Sequence, residues 1–161
     1  MSAIAVSFVV PRTALDGLRQ AAAPKRSWFT APKDSYWDYL RANGRPIADY
    51  PWSGYLLATV LEWLQEQHGI DLMTSSEDEL ANLLNTARGA THFVLPVEHR
   101  IAYLERLDPS AFSAEAFRSY YNAFHETDET DLGTSMEDGI GLLRRLLTAV
   151  DENSLAILII A

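Results

Sequence analysis

The sequence predicts an α+β fold, in which a small sheet formed by the N- and C-terminal strands packs with five or six helices. The chain begins with the β-branched, apolar run IAVSFVV at residues 4–10 and closes with the apolar run SLAILIIA. Both runs are typical of strands. Between them, apolar residues recur at helical spacing in several segments. Runs of helices between sparse strands favour α+β over a regularly alternating α/β fold.

The length and composition predict a single globular domain spanning residues 1–161. The chain has 161 residues, 48% of them hydrophobic, which is enough for one substantial core but not for two. No apolar run reaches the roughly eighteen residues of a membrane span, and the N-terminus lacks the pattern of a secretory signal. We therefore expect a cytoplasmic protein without membrane association. Because cysteine is absent, disulfides and thiolate chemistry are excluded.

The first helix should directly follow the first strand. Pro11 ends the strand, and Thr13 stands where a helix cap is needed, with Asp16 in the first turn. The pattern is an imperfect capping box, because the usual Glu or Gln is missing. We expect this helix to cover residues 14–22.

Residues 23–52 are the least regular part of the chain, because prolines interrupt them repeatedly. Within them, SYWDYLRANG predicts a short helix closed by Gly44 in the left-handed conformation. A longer helix should then run from Ser53 to Gly69. Its predicted buried stripe consists of Leu56, Leu57, Val60, Leu61 and Leu64.

The middle of the chain predicts a capped helix, an extended segment and a second helix. Ser76 and Glu79 have the spacing of a capping box, and Gly89 ends the helix that they begin. The segment THFVL at residues 91–95 fits a strand or an extended connection equally well. Pro96 suits the first turn of the next helix. The predicted buried stripe of that helix is Ile101, Leu104 and Leu107.

Two more helices precede the final strand. Ser113 predicts the cap of one, whose stripe is Phe117, Tyr120, Tyr121 and Phe124. Ser135 predicts the cap of the last helix. The glycines of Gly139-Ile140-Gly141 lie inside that helix with no strand before them, so close packing is favoured over nucleotide binding. The closing apolar run has the length of a strand covered on both faces.

The charge is unevenly divided along the chain. Residues 1–61 carry seven Arg/Lys and four Asp/Glu, which gives +3, whereas residues 62–161 carry six and eighteen, which gives −12. A surface this acidic repels phosphate backbones and attracts basic proteins. We therefore expect a basic protein partner and no nucleic acid.

The stretch HETDETDLGTSMED at residues 125–138 places six carboxylates in fourteen positions. A calcium loop opening at Asp128 fails, because Gly139 stands where the bidentate Glu belongs. A zinc-protease helix beginning at His125 fails as well, because Glu129 replaces the second histidine. The pattern favours a solvated acidic loop between two helices. The sequence thus predicts no metal site and no cofactor.

Aromatic residues are concentrated in residues 28–55, which hold eight of the seventeen aromatics of the chain. Large rings beside arginines are typical of binding hot spots. Such rings also close the edge of a core beneath a long loop, and that alternative stays open. The candidate binding residues are Trp28, Tyr36, Trp37, Tyr39, Arg41, Arg45, Tyr50 and Trp52.

The catalytic patterns for serine, phosphate and Schiff-base chemistry are all missing. Our first hypothesis is therefore a non-enzymatic binding or protein-interaction module of the inhibitor or immunity type. The alternative is a small-molecule-binding protein or small hydrolase, which would use His92 or His99 with a nearby acid beside the aromatic segment. We expect His99 at the surface, because Glu98 and Arg100 flank it, and His92 in the interior.

Three segments resemble the YfbM-like family of small, uncharacterised bacterial α+β proteins. They are WDYLRANG with Trp37, Leu40 and Gly44, the stretch FVLPVEHRIAYLERLDPSAFSAEAF, and the closing LLRRLLTAVDENSLAILII. The similarity covers mainly residues 91–161. It implies an α+β fold and no activity, because the family has no accepted catalytic residues.

Overall fold

A four-stranded antiparallel sheet forms the centre of the computed structural model, which describes residues 3–24 and 34–161. Its strands are β1 (Ala5–Pro11), β2 (Arg45–Pro46), β3 (Thr91–Leu95) and β4 (Ser154–Ile160). The order across the sheet is β2-β1-β4-β3, so the first and last strands lie side by side in its middle. This arrangement confirms the predicted α+β class and the predicted pairing of the terminal strands.

The strand β4 is covered on both faces, as its uninterrupted apolar sequence predicts. Successive side chains of a strand point to opposite faces, so alternate residues of β4 enter two separate cores. One core receives Leu155, Ile157 and Ile159, and the other receives Ala156, Leu158 and Ile160. The segment THFVL, which fitted a strand or an extended connection, forms the edge strand β3 and pairs with β4.

The described residues form seven α-helices, one for each helical segment described in the sequence, although the predicted total was five or six. They are α1 (Leu15–Ala22), α2 (Tyr36–Asn43), α3 (Gly54–His68), α4 (Asp78–Arg88), α5 (Val97–Tyr103), α6 (Ala114–His125) and α7 (Ser135–Ala149). The core of one sheet face is built with α1, α2 and α4, and that of the other with α3, α6 and α7. α5 packs beside α7 and β3.

Several predicted helix ends are confirmed. The side-chain oxygen of Ser53 accepts a hydrogen bond at the start of α3, and that of Ser113 does so at the start of α6. Gly69 and Gly89 end α3 and α4 with φ values of 63° and 64°. These two glycines adopt the left-handed conformation that most side chains avoid.

The capping box of α4 lies one residue earlier than predicted. Ser75 accepts from the backbone N–H of Glu77 at 3.0 Å, and Asp78 accepts from the backbone N–H of Ser75 at 2.8 Å. Ser76, the predicted cap, instead donates to Glu98 at 3.4 Å. Two consecutive serines each have an acid three positions later, so the spacing alone does not distinguish them.

Three other predictions about helix ends need correction. Thr13 caps nothing, because it already lies within a 3₁₀ turn that leads into α1. Gly44 follows the last residue of α2 as predicted, but its φ of −102° makes it extended rather than left-handed. A Cβ at Gly44 would lie 2.8 Å from the carbonyl oxygen of Leu40 and 3.3 Å from Phe8, so close packing explains this glycine. Ser135 is the first residue of α7 and is completely buried.

Two packing predictions for the later helices also need correction. Ile101 is 80% exposed, because α5 ends at Tyr103 and a 3₁₀ turn changes the helical period before Leu107. A Cβ on Gly139 would lie 3.2 Å from Leu57, which confirms close packing there. Gly141 faces open space, so it has no packing role.

Candidate functional site

The polar groups of several aromatic side chains in residues 28–55 form hydrogen bonds within the protein. The hydroxyl of Tyr39 donates to the carbonyl oxygen of Ala14 at 2.8 Å, and that of Tyr50 donates to the carbonyl oxygen of Ser135 at 2.9 Å. Each ring therefore ties the irregular segment to a helix end. Such use favours the alternative in which these rings close the edges of the two cores.

Trp52 holds the end of the acidic loop in the same way. Its indole N–H donates to the carboxylate of Asp138 at 2.8 Å, and that carboxylate also accepts from the hydroxyl of Thr134 at 2.7 Å. A Cβ at Gly133 would collide with the Trp52 ring, so the loop backbone passes directly against the indole. Trp52 thereby fixes the entry to α7.

The remaining candidate binding residues lie around α2. Trp37 is half-buried and packs edge-on against Tyr36 at a centroid distance of 5.4 Å. Arg41 and Arg45 are exposed, and Arg41 pairs with Asp38 at 3.5 Å. Trp28 lies outside the described residues. A binding role for this segment stays a prediction.

Tyr36 and His92 form the buried polar pair of the core made with α1, α2 and α4. Both side chains are almost inaccessible, and Tyr36 Oη lies 2.8 Å from His92 Nε2. His92 Nδ1 faces two acceptors, the side-chain oxygen of Asn85 at 3.1 Å and the carbonyl oxygen of Ala90 at 3.0 Å. Nδ1 therefore carries the proton, and the Tyr36 hydroxyl donates to Nε2.

The environment keeps His92 neutral. The pKa of His92 is lowered to about 4, chiefly by burial; the hydrogen bond to Ala90 opposes this shift, and the positive charge of Arg88 adds to it. The Arg88 guanidinium lies 4.7 Å from the centre of the Tyr36 ring and bonds the carboxylate of Asp34. The predicted interior position of His92 is confirmed, and this arrangement is structural, because both ring nitrogens have internal partners.

His99 is buried rather than exposed, which corrects the sequence-based expectation. It is 6% exposed, and its Nε2 donates to the carbonyl oxygen of Thr74 at 2.8 Å. Burial lowers the pKa of His99 against the opposing effect of nearby acids that include Asp71. Neighbours in sequence point about 100° away on a helix, so the charges flanking His99 say nothing about its own direction. A buried histidine bound to a backbone oxygen does not provide an accessible catalytic base.

The acidic loop between α6 and α7 is held largely through its backbone, and the residues that carry its carboxylates are exposed, although Asp131 also accepts from the backbone N–H of Gly133. Arg118 donates to the carbonyl oxygen of Thr130 at 2.8 Å, and Asn122 bonds both the N–H and the C=O of Glu129. Residues 126–131 are exposed. Within residues 3–24 and 34–161, no three His, Asp or Glu side chains are arranged to hold a metal ion.

An exposed aromatic surface lies where α6 packs along α3, and the sequence did not reveal it. Phe124 is 47% exposed and stacks on Tyr120 at a centroid distance of 5.8 Å and an interplanar angle of 23°. The Tyr120 hydroxyl donates to the carboxylate of Glu66 at 2.9 Å. We name the following residues the α3–α6 surface: Tyr55, Glu62, Glu66, Tyr120, Phe124 and His125.

The other end of this surface is joined by a second hydrogen bond between the helices. The Thr59 hydroxyl donates to the carbonyl oxygen of Tyr55 and lies 2.8 Å from His125 Nε2. Since that hydroxyl hydrogen is used, the His125 ring must donate the second bond. Tyr55 itself is 59% exposed. The Tyr120–Glu66 and His125–Thr59 hydrogen bonds therefore join α6 to α3, while the rings of Tyr55 and Phe124 stay exposed.

The two chain segments that carry the α3–α6 surface have a strongly negative net charge. α3 and residues 114–131 together contain seven carboxylates and one cation, Arg118, which gives a net charge of −6. Burial raises the pKa of Tyr120, and the hydrogen bond to Glu66 and the proximity of Glu62 raise it further. Both carboxylates therefore lie close to the stacked rings.

Comparisons with protein-family models, with curated proteins and with solved structures found no match to this chain. The resemblance to the YfbM-like family stays a prediction. None of the helices in the described part of the chain is long and apolar enough to cross a membrane.

Proposed function

We propose that the protein is a cytoplasmic protein-interaction module of the inhibitor or immunity type, which binds a basic segment of a partner protein on the α3–α6 surface. The observation that carries this proposal is the exposed Phe124, stacked on a tyrosine whose hydroxyl is held by Glu66. An aromatic face beside carboxylates attracts a cation in two ways, through the ring quadrupole and through charge.

The charge distribution selects a basic protein as the occupant. The net charge of −6 on α3 and residues 114–131 repels nucleic acid and anionic lipid. The same charge accelerates association with a basic chain and makes that association sensitive to salt. The aromatic rings of the α3–α6 surface add apolar contact with the partner, which small ions in solution do not compete for.

The geometry does not favour the hydrolase alternative. His92 and His99 are both buried, and hydrogen bonds hold them to internal partners. Neither lines any of the four clefts found among residues 3–24 and 34–161. A binding site on the aromatic segment has less support than one on the α3–α6 surface. The polar groups of four of its aromatic side chains, at residues 36–52, already form hydrogen bonds within the protein.

Titration with a labelled peptide of alternating basic residues and glycine tests the proposal by fluorescence anisotropy. The wild-type protein should bind the peptide and lose affinity as salt is raised. Phe124→Ala should weaken binding about two- to fivefold, the range that corresponds to about 0.5–1 kcal/mol for an exposed cation–π contact. Glu66→Gln should weaken binding and reduce its salt dependence, because it removes one carboxylate.

Two matched controls separate this surface from general effects of exposed apolar area and charge. Ile101→Ala removes a large exposed apolar side chain from α5, and Glu79→Gln removes an exposed carboxylate from α4 on the opposite sheet face. Both should bind like the wild type. If Phe124→Ala and Ile101→Ala bind equally, or if the wild type does not bind the peptide, the proposal is wrong.

A further inference from the structure

A cleft of about 360 Å³ adjoins the α3–α6 surface, between the end of α3 and the first half of α6. It is lined by Trp63, Gln67, His68, Ala116 and Tyr120. The Tyr120 ring belongs to both the cleft and the α3–α6 surface, because it lines the cleft and also stacks on the exposed Phe124. A chain bound on the surface would therefore pass the mouth of the cleft.

Three of the five residues that line the cleft have aromatic rings. Trp63 is 2% exposed and packs edge-on against Phe117 at 5.3 Å and against Phe112 at 5.7 Å. His68 packs edge-on against Trp63 at 4.6 Å. The cleft is therefore present before a ligand binds, and its aromatic lining already packs against neighbouring rings.

The two ends of the cleft differ in charge. At the Tyr120 end, the carboxylate of Glu66 is held 2.9 Å from the tyrosine hydroxyl. At the other end, Arg106 donates to the carbonyl oxygen of His68. Burial and the charge of Arg106 lower the pKa of His68, so its ring is neutral at neutral pH and adds no repulsion. A cation is therefore favoured at the Tyr120 end.

We propose that the cleft receives one arginine side chain of the basic partner, with the guanidinium against the Tyr120 ring and within reach of the Glu66 carboxylate and the Gln67 side-chain oxygen. This inference rests on the proposed function, and it identifies the partner side chain, here called the anchor, that enters the cleft. A guanidinium is planar, so it stacks on a ring and donates in its own plane at the same time. An ammonium group is compact and strongly hydrated, and it does not combine these contacts. The cleft should therefore discriminate arginine from lysine.

Filling the cleft from the α6 side tests the assignment. Ala116 lines the cleft and is exposed, and leucine is a good helix former, so Ala116→Leu should fold normally. Ala123→Leu is the matched control, because Ala123 is an exposed alanine of the same helix that does not line the cleft. Gln67→Leu is a second variant, which removes the polar acceptor and keeps the helix.

The measurement is the affinity of each protein for two glycine-spaced peptides of equal charge, one with arginine and one with lysine. The wild type and Ala123→Leu should bind the arginine peptide at least several-fold more tightly than the lysine peptide. Ala116→Leu and Gln67→Leu should lose most of this preference while still binding the lysine peptide.

The outcomes separate the anchor from the proposed function. If the wild type binds both peptides equally, or if Ala116→Leu keeps the full preference, the anchor is wrong, whereas the effect of Phe124→Ala on binding still stands. If the wild type binds neither peptide, both proposals fail together.

Discussion

Lowering the pH should destabilise the protein through His92. The pKa of the buried histidine is about 4, against an ordinary value of 6.5. As the pH falls, His92 therefore binds a proton at a higher pH in the unfolded chain than in the folded protein. The stabilising contribution is complete above about pH 7.5 and is lost as the pH falls from about 6.5 to 4. Below that range the contribution of His92 no longer changes.

The size of the effect follows from the distance between the two pKa values, about 4 in the folded protein and 6.5 ordinarily. At about 1.36 kcal/mol for each pKa unit, the full loss is about 3 kcal/mol. Between about pH 7.5 and 4.5 the expected loss is about 2–3 kcal/mol, because the transition is not complete at the lower value. This is a large fraction of the stability of a small domain.

Urea unfolding of the wild type and of His92→Gln across this pH range isolates the contribution. Acidic groups titrate in both proteins, so the difference between their free energies of unfolding removes that background. The advantage of the wild type in free energy of unfolding should shrink by about 2–3 kcal/mol on going from about pH 7.5 to 4.5. An advantage that does not change with pH would refute the buried, neutral state of His92.

Two further predictions concern the packing around α7. Trp52→Phe should lower the free energy of unfolding by at least about 1 kcal/mol, because the carboxylate of Asp138 loses its indole donor; unchanged urea unfolding would show that this bond is not needed. Gly141→Ala should raise the free energy of unfolding by about 0.5–1 kcal/mol, because its Cβ meets open space. Gly139→Ala should not, because its Cβ would press on Leu57; equal gains in the two variants' thermal melts would contradict the packing described.

The sheet could be predicted from the sequence because its two middle strands are local, uninterrupted apolar runs. β1 and β4 each carry enough β-branched residues to identify them without their partners. The assignment of helices to the two sheet faces could not be predicted. An amphipathic stripe shows which side of a helix is buried, but it does not show against which face of the sheet that side packs.

The α3–α6 surface could not be predicted for a related reason. Phe117 and Phe124 lie seven positions apart, a spacing at which two side chains lie on one helix face. Phe117 is 1% exposed and Phe124 is 47% exposed, because the stripe extends beyond the neighbouring core at the end of α6. The Tyr36–His92 pair joins residues 56 positions apart, so no local pattern could reveal it.

Heteronuclear NMR of the protein mixed with the arginine peptide shows directly which residues a basic chain contacts. Addition of the arginine peptide should shift amide signals of α3 and of residues 114–131, with the largest changes around Phe124 and Ala116. Signals of residues 36–52 should stay unchanged. Shifts concentrated in residues 36–52, or shifts spread evenly over the whole protein, would show that the α3–α6 surface is not the binding site.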